Sequence, residues 1–420
     1  MILLSGLVTL ILALLGTPLF VIIAANALLQ LHAMQYDTTL MIIEFYRLAN
    51  MPMLLPIPLF TFAGYILAES GAPQRLVRVS QALFGWMPGG LAIVCIIACA
   101  IFTAFTGASG VTIIALGGLI YPALLKENYP ERFSLGLITS SGSLGLLFAP
   151  SLPLILYGII AQVSIDNLFK AGVLPGILIL AFMSVYSGIK ANAFKVQRPG
   201  FSMKELGKAL WDARYEIPLP IIILSSIYSG ILAISEAAVF SVFLVLFVEV
   251  ILYREINLTH LSDIARKSTI LVGGILIIMG CSLAYTNCLL DAEIPMKILA
   301  GLQNYISGRV AFLIALNLFL LLVGCMLDIF SALIVVVPLI LPISREFGID
   351  PIHLGIIFLA NLNIGYMTPP VGLNLFIASL RFKKPVITLY LACIPFLVLM
   401  LAALVLITYI PAISLWLVGL

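Results

Sequence analysis

The chain has 420 residues, of which 63% are hydrophobic and only 9% are charged. Soluble domains carry about 25% charged residues, so this composition excludes a soluble globular protein. The apolar residues form long continuous runs, which excludes the alternating pattern of a transmembrane barrel. The composition therefore predicts an all-α polytopic membrane protein, and the small net charge of +3 argues against a nucleic-acid partner.

The first apolar run, residues 2–29, is interpreted as a helix that is retained in the mature protein. A cleaved signal peptide is the alternative, because Ala25, Asn26 and Ala27 weakly resemble a cleavage site. However, no basic residue precedes the run, and the run is long for the apolar part of a signal peptide. The N-terminus is expected in the cytoplasm.

The next unusual segment runs from Gly89 to Leu125 and is interrupted at Thr106–Gly110. Two full crossings of the bilayer need about 40 residues plus a turn, which is more than this segment offers. We therefore predict a re-entrant hairpin at about 89–125, whose tip reaches the middle of the bilayer from the cytoplasmic side. A tight pair of short spanning helices is the alternative.

Residues 133–160 form an apolar run that is interrupted by the segment Gly142–Pro153. Proline removes a backbone donor and clashes with the preceding turn, so the helix opens there. In lipid, an opened helix is tolerated only where protein or a water-filled cavity satisfies the freed backbone groups. The run therefore predicts a broken helix at about 133–160 that lines a binding site.

The most basic stretch, Lys190–Glu216, contains six lysine or arginine residues against three acidic ones. Basic loops stay in the cytoplasm, so this linker is expected inside the cell. Residues 204–215 within it are expected to form an amphipathic helix on the membrane surface. The linker separates a predicted first repeat, 1–189, from a predicted second repeat, 217–420.

The second half contains another interrupted hairpin, at about 309–342, and another broken helix, at about 353–379. The remaining apolar runs are 217–234, 237–253, 269–290 and 386–410, the last of which is expected to end in the periplasm. This count places the basic clusters at 75–78, 254–267 and 381–384 inside the cell as well. The two hairpins would then enter from opposite faces, as inverted-topology repeats require.

Three pairs of glycine and proline residues support such a repeat, because the members of each pair are 220 residues apart. The pairs are Gly145 and Gly365, Pro150 and Pro370, and Pro122 and Pro342. Chance spacing in a chain rich in these residues is the alternative. Paired interrupted helices in the two halves of a chain are the best sequence pointer to a transporter's binding site.

The breaks expose backbone groups next to hydroxyl and amide side chains. Helix N-termini attract anions, and C-terminal carbonyl groups attract cations such as sodium. We predict sodium contacts at Thr106, Gly107, Ser143, Gly145, Phe148, Pro150, Gly324, Gly365, Met367, Thr368 and Pro370. We predict substrate contacts at Ser109, Thr112, Ser151, Asp328, Ser331 and Asn374. Packing between helices is the alternative for each serine, threonine or asparagine.

Asp328 stands apart because a carboxylate deep in an apolar run is costly and is a functional candidate by default. A helix cap is the alternative, since Ser331 follows three residues later. An intramembrane enzyme would need a second ionisable group at the same depth, and none is evident in the sequence. The sequence also lacks a phosphate-binding loop, an HExxH motif and a nucleophile elbow, so we predict that the protein is not an enzyme.

Six motifs occur in order along nearly the whole chain. They are Ile57-Pro58-Leu59-Phe60, Gly107-Ala108-Ser109-Gly110, Ala149-Pro150-Ser151-Leu152-Pro153, Ser235-Glu236-Ala237-Ala238, Leu327-Asp328 and Thr368-Pro369-Pro370-Val371-Gly372-Leu373-Asn374. With these motifs the chain resembles the large membrane (permease) subunit of tripartite ATP-independent periplasmic (TRAP) transporters. One departure is visible, because the family usually has two prolines where this chain has Ala149-Pro150.

The resemblance implies an elevator-type fold, with a scaffold and a mobile domain that carries both hairpins and both broken helices. The scaffold would include helices near 2–29, 53–70 and 217–253. The resemblance also implies sodium-coupled import of an organic acid anion, such as a dicarboxylate or sialic acid, across the bacterial inner membrane. Sodium would be the coupling ion, with two or more ions in each cycle.

Two protein partners are implied by the same resemblance. A periplasmic substrate-binding protein would deliver the substrate, and a small four-helix membrane subunit would brace the scaffold. That subunit is expected to be a separate chain, because this sequence begins with the first helix of the large subunit. The alternative function is a single-component anion symporter or ion antiporter with a related inverted-repeat fold.

Overall fold

A computed structural model describes residues 17–194, 196, 200–303, 308–369 and 371–419. Within these residues the secondary structure is entirely helical. Among the described residues, eight helices are long and apolar enough to cross a membrane, or nine if the bent pair Glu131–Leu147 and Leu152–Ala161 forms one span. The prediction of an all-α polytopic membrane protein is therefore confirmed. Most of the predicted first run, up to residue 16, lies outside the described residues.

The helices are numbered in chain order. The first ten are α1 (Leu19–Ala33), α2 (Thr39–Ala49), α3 (Pro56–Glu69), α4 (Ala72–Phe84), α5 (Gly90–Thr106), α6 (Ser109–Lys126), α7 (Glu131–Ser141), α8 (Leu152–Ala161), α9 (Ile165–Ala193) and α10 (Met203–Asp212). The next ten are α11 (Pro218–Tyr228), α12 (Ile234–Leu246), α13 (Leu258–Asp291), α14 (Ile294–Gln303), α15 (Arg309–Met326), α16 (Ile329–Glu346), α17 (Pro351–Gly365), α18 (Leu373–Phe382), α19 (Val386–Tyr409) and α20 (Ala412–Leu415).

Two helical hairpins and two broken helices form the centre of the molecule. Helices α5 and α6 make hairpin 1, and helices α15 and α16 make hairpin 2. Broken helix 1 consists of α7 and α8, which are joined by a 3₁₀ turn at Leu144–Leu147 and bent by 43°. Broken helix 2 consists of α17 and α18. Three of the four interruptions contain glycine or proline, whereas the turn of hairpin 2 consists of Leu327 and Asp328.

The hairpins pack crosswise against the broken helices. Helix α6 of hairpin 1 packs against α18 of broken helix 2, and α16 of hairpin 2 packs against α8 of broken helix 1. The approach of α6 to α18 is close, because a methyl group on Gly110 would lie 2.5 Å from Ile377 Cδ1. A shift of 220 residues converts one helix pair into the other. The two halves of the chain therefore contact each other through equivalent helix pairs, and each half buries part of its apolar surface against the other.

The structure differs from the sequence prediction around residues 217–234. The run was expected to cross the membrane, but its helix, α11, has only 11 residues. Such a helix is about 16 Å long, roughly half the hydrocarbon thickness of a bilayer, so the predicted single crossing is wrong. Ser225 and Ser229 hydrogen-bond back to the helix's own carbonyl groups, and Gly230 then turns the chain with a φ of 71°.

Other helix bounds differ less. Helix α13 begins at Leu258, well before the predicted start of its run at residue 269, and α9 continues to Ala193, into the predicted linker. A helix is observed as α10 where residues 204–215 were expected to form one. Helices α2, α4 and α14 were not anticipated.

Helix α4 connects α3 to hairpin 1 and is held by ion pairs. The Arg75 guanidinium contacts the carboxylates of Glu216, Glu249 (3.1 Å) and Glu255 (2.5 Å). The Arg78 guanidinium contacts the carboxylate of Asp212 at the end of α10. These contacts tie α4 to α10, to the start of α11 and to the segment after α12.

Candidate substrate and ion site

A chain of three buried side chains joins the two broken helices. The Ser143 hydroxyl donates a hydrogen bond to Asn363 Oδ1, and it accepts one from Asn374 Nδ2 at 3.2 Å. Asn374 Nδ2 also donates to the Thr139 carbonyl at 3.3 Å. All four residues are fully buried. Ser143 and Asn363 are 220 residues apart, so this contact joins equivalent positions of the two halves.

Two polar atoms in this chain of hydrogen-bonded side chains have no hydrogen-bond partner. Asn363 Nδ2 and Asn374 Oδ1 are buried and make no hydrogen bond, and the same holds for the hydroxyl of Ser151 at the start of α8. Each such atom costs about 1–3 kcal/mol in a protein interior unless a ligand or an ordered water completes it. The site therefore offers one free donor and one free acceptor where the two halves meet.

The tip of hairpin 1 is closed by a threonine bridge. The Thr103 hydroxyl donates to the Gly142 carbonyl at 2.8 Å, so the Thr112 hydroxyl, 2.6 Å away, donates to Thr103. The predicted substrate contact Thr112 is thus engaged within the protein, although its oxygen can still accept a hydrogen bond. Thr103 was missed by the sequence prediction, which placed the first polar group of this tip at Thr106.

The turn of hairpin 1 brings Thr106, Gly107 and Ser109 together at the start of α6. Gly107 has a φ of 63°, and a methyl group there would lie 2.6 Å from Leu152 Cδ1. Ser109 opens α6, and no side chain caps this N-terminus. The first N–H groups of a helix have no partner inside the helix, so this end can bind an anion.

The tip of hairpin 2 is built differently. Asp328 Oδ2 accepts hydrogen bonds from the backbone N–H groups of Phe330 (3.0 Å) and Ser331 (3.1 Å), and the Ser331 hydroxyl donates to Asp328 Oδ1. The Ile329 N–H donates to Tyr366 Oη at 2.6 Å. Asp328 is therefore a helix cap, as the structural alternative predicted. The N-terminus of α16 is already satisfied by a carboxylate and a phenol.

The two helix breaks have the same local geometry. A methyl group on Gly145 would lie 2.4 Å from the backbone nitrogen of Ala104, and one on Gly365 would lie 2.5 Å from the backbone carbon of Gly324. A shift of 220 residues converts the first contact into the second. The N–H of Phe148 donates to the Gly145 carbonyl at 3.0 Å, and the equivalent Thr368 N–H donates to the Gly365 carbonyl at 3.0 Å.

At the second break, the two oxygens that could bind a cation are the Gly365 carbonyl and the Thr368 hydroxyl. The Thr368 hydroxyl donates to the Gly365 carbonyl at 2.9 Å, and the Thr368 N–H donates to the same oxygen. Both lone pairs of that carbonyl are then used, which leaves the Thr368 hydroxyl oxygen as the better ligand. Met367 is fully buried beside it. The predicted contact Pro370 lies outside the described residues.

The predicted site residues form two groups that meet at one place. Hairpin 1 and broken helix 1 are joined by the contact of Thr103 with Gly142, and hairpin 2 and broken helix 2 by the contact of Ile329 with Tyr366. The bond between Ser143 and Asn363 links the two groups. In the described part of the chain, no group of three or more His, Cys, Asp or Glu side chains could hold a metal ion. Apart from the Asp328 carboxylate, the oxygens named in this site belong to neutral hydroxyl, amide and carbonyl groups.

The sequence model of a family described as "Tripartite ATP-independent periplasmic transporter, DctM component" matches residues 6–413. The chain is 33% identical over 374 residues to the C4-dicarboxylate TRAP transporter large permease protein DctM of Pseudomonas aeruginosa, covering 89% of this chain and 88% of that protein. It is 31% identical over 412 residues to the ectoine/5-hydroxyectoine TRAP transporter large permease protein UehC of Ruegeria pomeroyi, covering 97% and 96%.

Two further matches are a longer relative, which this chain covers only in part, and a solved structure of low sequence identity. The isethionate TRAP transporter permease protein DctMQ of Oleidesulfovibrio alaskensis is 32% identical over 381 residues, which cover 90% of this chain but only 60% of that protein. The crystal structure of the Alcanivorax borkumensis YdaH transporter matches with a TM-score of 0.62 at 14% identity, covering 89% of this chain and 87% of that one. At this identity the likeness concerns the fold alone.

Proposed function

Since the chain belongs to the DctM family of tripartite ATP-independent periplasmic transporters, we propose that it imports an organic acid anion into the cell by sodium-coupled secondary transport. The related proteins are transporter permeases, which confirms the prediction that the chain is not an enzyme. The observation that carries the proposal is the buried chain of Asn374, Ser143 and Asn363, with one free donor and one free acceptor between equivalent helix breaks.

The two hairpin tips support a definite orientation of the substrate. The uncapped N-terminus of α6 at Ser109 suits a carboxylate or sulfonate group, because its N–H groups and helix dipole favour negative charge. The tip of hairpin 2 presents the Asp328 carboxylate, which repels an anion and accepts hydrogen bonds from a hydroxyl or ammonium group. The proposed substrate therefore carries an acid group at one end and a hydrogen-bond donor at the other.

Sodium is the proposed coupling ion, with two or more ions in each cycle. Sodium is a hard cation and suits neutral oxygen ligands of the kind found at both breaks. The proposed ligands are the hydroxyl oxygen of Thr368, the amide oxygen of Asn374 and the carbonyl groups that follow Ser143. The sequence contains no phosphate-binding loop that would couple transport to ATP.

The proposed mechanism is an elevator in the bacterial inner membrane, with the N-terminus in the cytoplasm and the C-terminus in the periplasm. Both hairpins and both broken helices would move together past a scaffold that includes α1, α3 and α12. Helix α3 touches the tip of hairpin 1, since a methyl group on Gly64 would lie 2.6 Å from the Phe105 carbonyl oxygen. The proposed partners are a periplasmic substrate-binding protein and a small four-helix membrane subunit.

Sodium dependence tests this function. The chain, reconstituted in liposomes with its small subunit and binding protein, should accumulate substrate only when a sodium gradient points inward. Equal uptake with potassium in place of sodium would contradict the proposal. Sodium-driven uptake by the chain alone, without either partner, would instead favour a single-component symporter.

Thr368→Val should raise the sodium concentration for half-maximal uptake by about fivefold or more. The shape of the side chain is kept while an oxygen ligand is lost, and such an interaction contributes on the order of 1 kcal/mol or more. The matched control is Thr61→Val in α3, where the hydroxyl bonds only to its own helix at Ile57. This control should leave the sodium dependence unchanged. If Thr368→Val leaves the sodium concentration for half-maximal uptake unchanged, Thr368 does not bind sodium and only packs between helices.

A further inference from the structure

An apolar cavity of about 390 Å³ lies between α4, α5 of hairpin 1 and the segment that joins α10 to α11. Its walls include Leu76, Phe102, Leu210 and Pro220. Its polar residues are Ser80 and Glu216, and the Glu216 carboxylate is paired with Arg75. The cavity is separate from the oxygen-rich site between the broken helices.

The cavity opens towards the outer surface of the protein rather than into its core. Leu83, Ile101, Leu210 and Ile221 line it and are each between 37% and 62% exposed. Water needs several polar partners to occupy a buried space, and this cavity does not provide them. In a membrane, hydrocarbon is the apolar material that can fill such an opening.

A cationic residue lies close in sequence to the lining of the cavity. Arg214 falls between Leu210 and Glu216, which both line the cavity. Its guanidinium donates a hydrogen bond to the Trp211 carbonyl at 2.9 Å and lies over the rings of Trp211 (4.8 Å) and Tyr215 (4.6 Å). Within the described chain it forms no ion pair with a carboxylate, and the nearby Asp212 carboxylate is paired with Arg78. Trp211 is 68% exposed, as is typical of tryptophan at the level of lipid headgroups.

We propose that this cavity binds an anionic phospholipid, with one acyl chain between α4 and α5 and the phosphate group at Arg214. The apolar cavity would bury the acyl chain, and Arg214, which lies in sequence between two lining residues, would attract the negatively charged headgroup of the same lipid. Ion pairs of Arg75 and Arg78 fix the α4 side of the cavity, whereas the α5 side belongs to hairpin 1. The lipid therefore fills the space between these two parts of the protein.

The test uses the purified chain with its partners in phosphatidylethanolamine vesicles that contain a little phosphatidylglycerol with a photoreactive acyl chain. Crosslinks should concentrate on the peptides that contain residues 72–84, 97–105 and 217–221. Ser80→Phe fills the cavity and should reduce this labelling several-fold. Gln81→Phe, on the other face of α4, lines a different pocket and should not reduce it.

The headgroup is tested separately, without altering the cavity. Arg214→Gln should remove the preference for phosphatidylglycerol over a photoreactive phosphatidylethanolamine. The control is Arg266→Gln, where an exposed arginine pairs with Asp263 on α13. Labelling of the cavity peptides no stronger than that of the exposed face of α13 would overturn the proposal. So would labelling that neither Ser80→Phe nor Arg214→Gln reduces.

Discussion

Asp328→Asn should lower the rate of substrate uptake about ten- to hundredfold while the complex still assembles. Asparagine caps a helix about as well as aspartate, so the N–H groups of Phe330 and Ser331 keep their acceptor. The charge is lost, and a hydrogen bond to a charged group contributes about 1.5–3 kcal/mol. Uptake into liposomes and the thermal stability of the purified complex measure the two effects separately.

Asp350 provides a matched control, because it caps α17 in the same way. Its Oδ1 accepts hydrogen bonds from the N–H groups of Ile352 (2.8 Å) and His353 (3.2 Å). Asp350→Asn should leave uptake unchanged, and alanine at either position should cost about 1 kcal/mol of stability through the lost cap. Full uptake by Asp328→Asn would show that Asp328 is a cap and nothing more.

Gly145→Ala should cause a large loss of both stability and uptake. The added methyl group would lie 2.3 Å from the Ala100 carbonyl oxygen and 2.4 Å from the Ala104 nitrogen, which are backbone atoms that cannot rotate away. Overpacking of this kind costs about 1–3 kcal/mol or more and would push the break away from α5. Gly365→Ala should behave alike, because its methyl group would meet the backbone of Gly324.

The control for both glycines is Gly274→Ala in the middle of α13. A methyl group there would have no neighbouring atom within 4 Å. Alanine is favoured over glycine inside a helix by roughly 0.5–1 kcal/mol, so this variant should be at least as stable as the native chain. Normal stability and uptake in both Gly145→Ala and Gly365→Ala would contradict the tight contacts at the two breaks.

The sequence predicted the helix breaks well because glycine and proline act on the backbone directly and locally. Proline has no backbone N–H to donate inside a helix, so the helices around Pro150 and Pro369 were expected to open. The cap by Asp328 was also open to prediction, since Asp328 lies three residues before Ser331 and aspartate is a preferred N-cap residue. The separation of 220 residues relates equivalent positions of the two halves, and the hydrogen bond between Ser143 and Asn363 joins one such pair.

Other features of the site depend on contacts between distant segments and left no local signal. Tyr366 accepts a hydrogen bond from Ile329, and in the sequence it is only one aromatic residue in an apolar run. Thr103 connects Thr112 to Gly142, but threonine in a membrane helix more often bonds its own backbone. The short helix α11 was missed because an apolar run shows where a chain can cross a membrane, not how far its helix continues.

The central claim is that the two hairpin tips belong to one site, which moves across the membrane as a unit. It is tested most directly by labelling cysteines introduced at Ser109 and Ser331, in a chain that lacks its native cysteines and still transports. A membrane-impermeant thiol reagent should react with both tips at rates that change when sodium and substrate are added. A cysteine at Ser229, at the end of α11, should react at one rate throughout. Unchanging rates at both tips, under conditions that support uptake, would contradict the claim and indicate a fixed site with local gates.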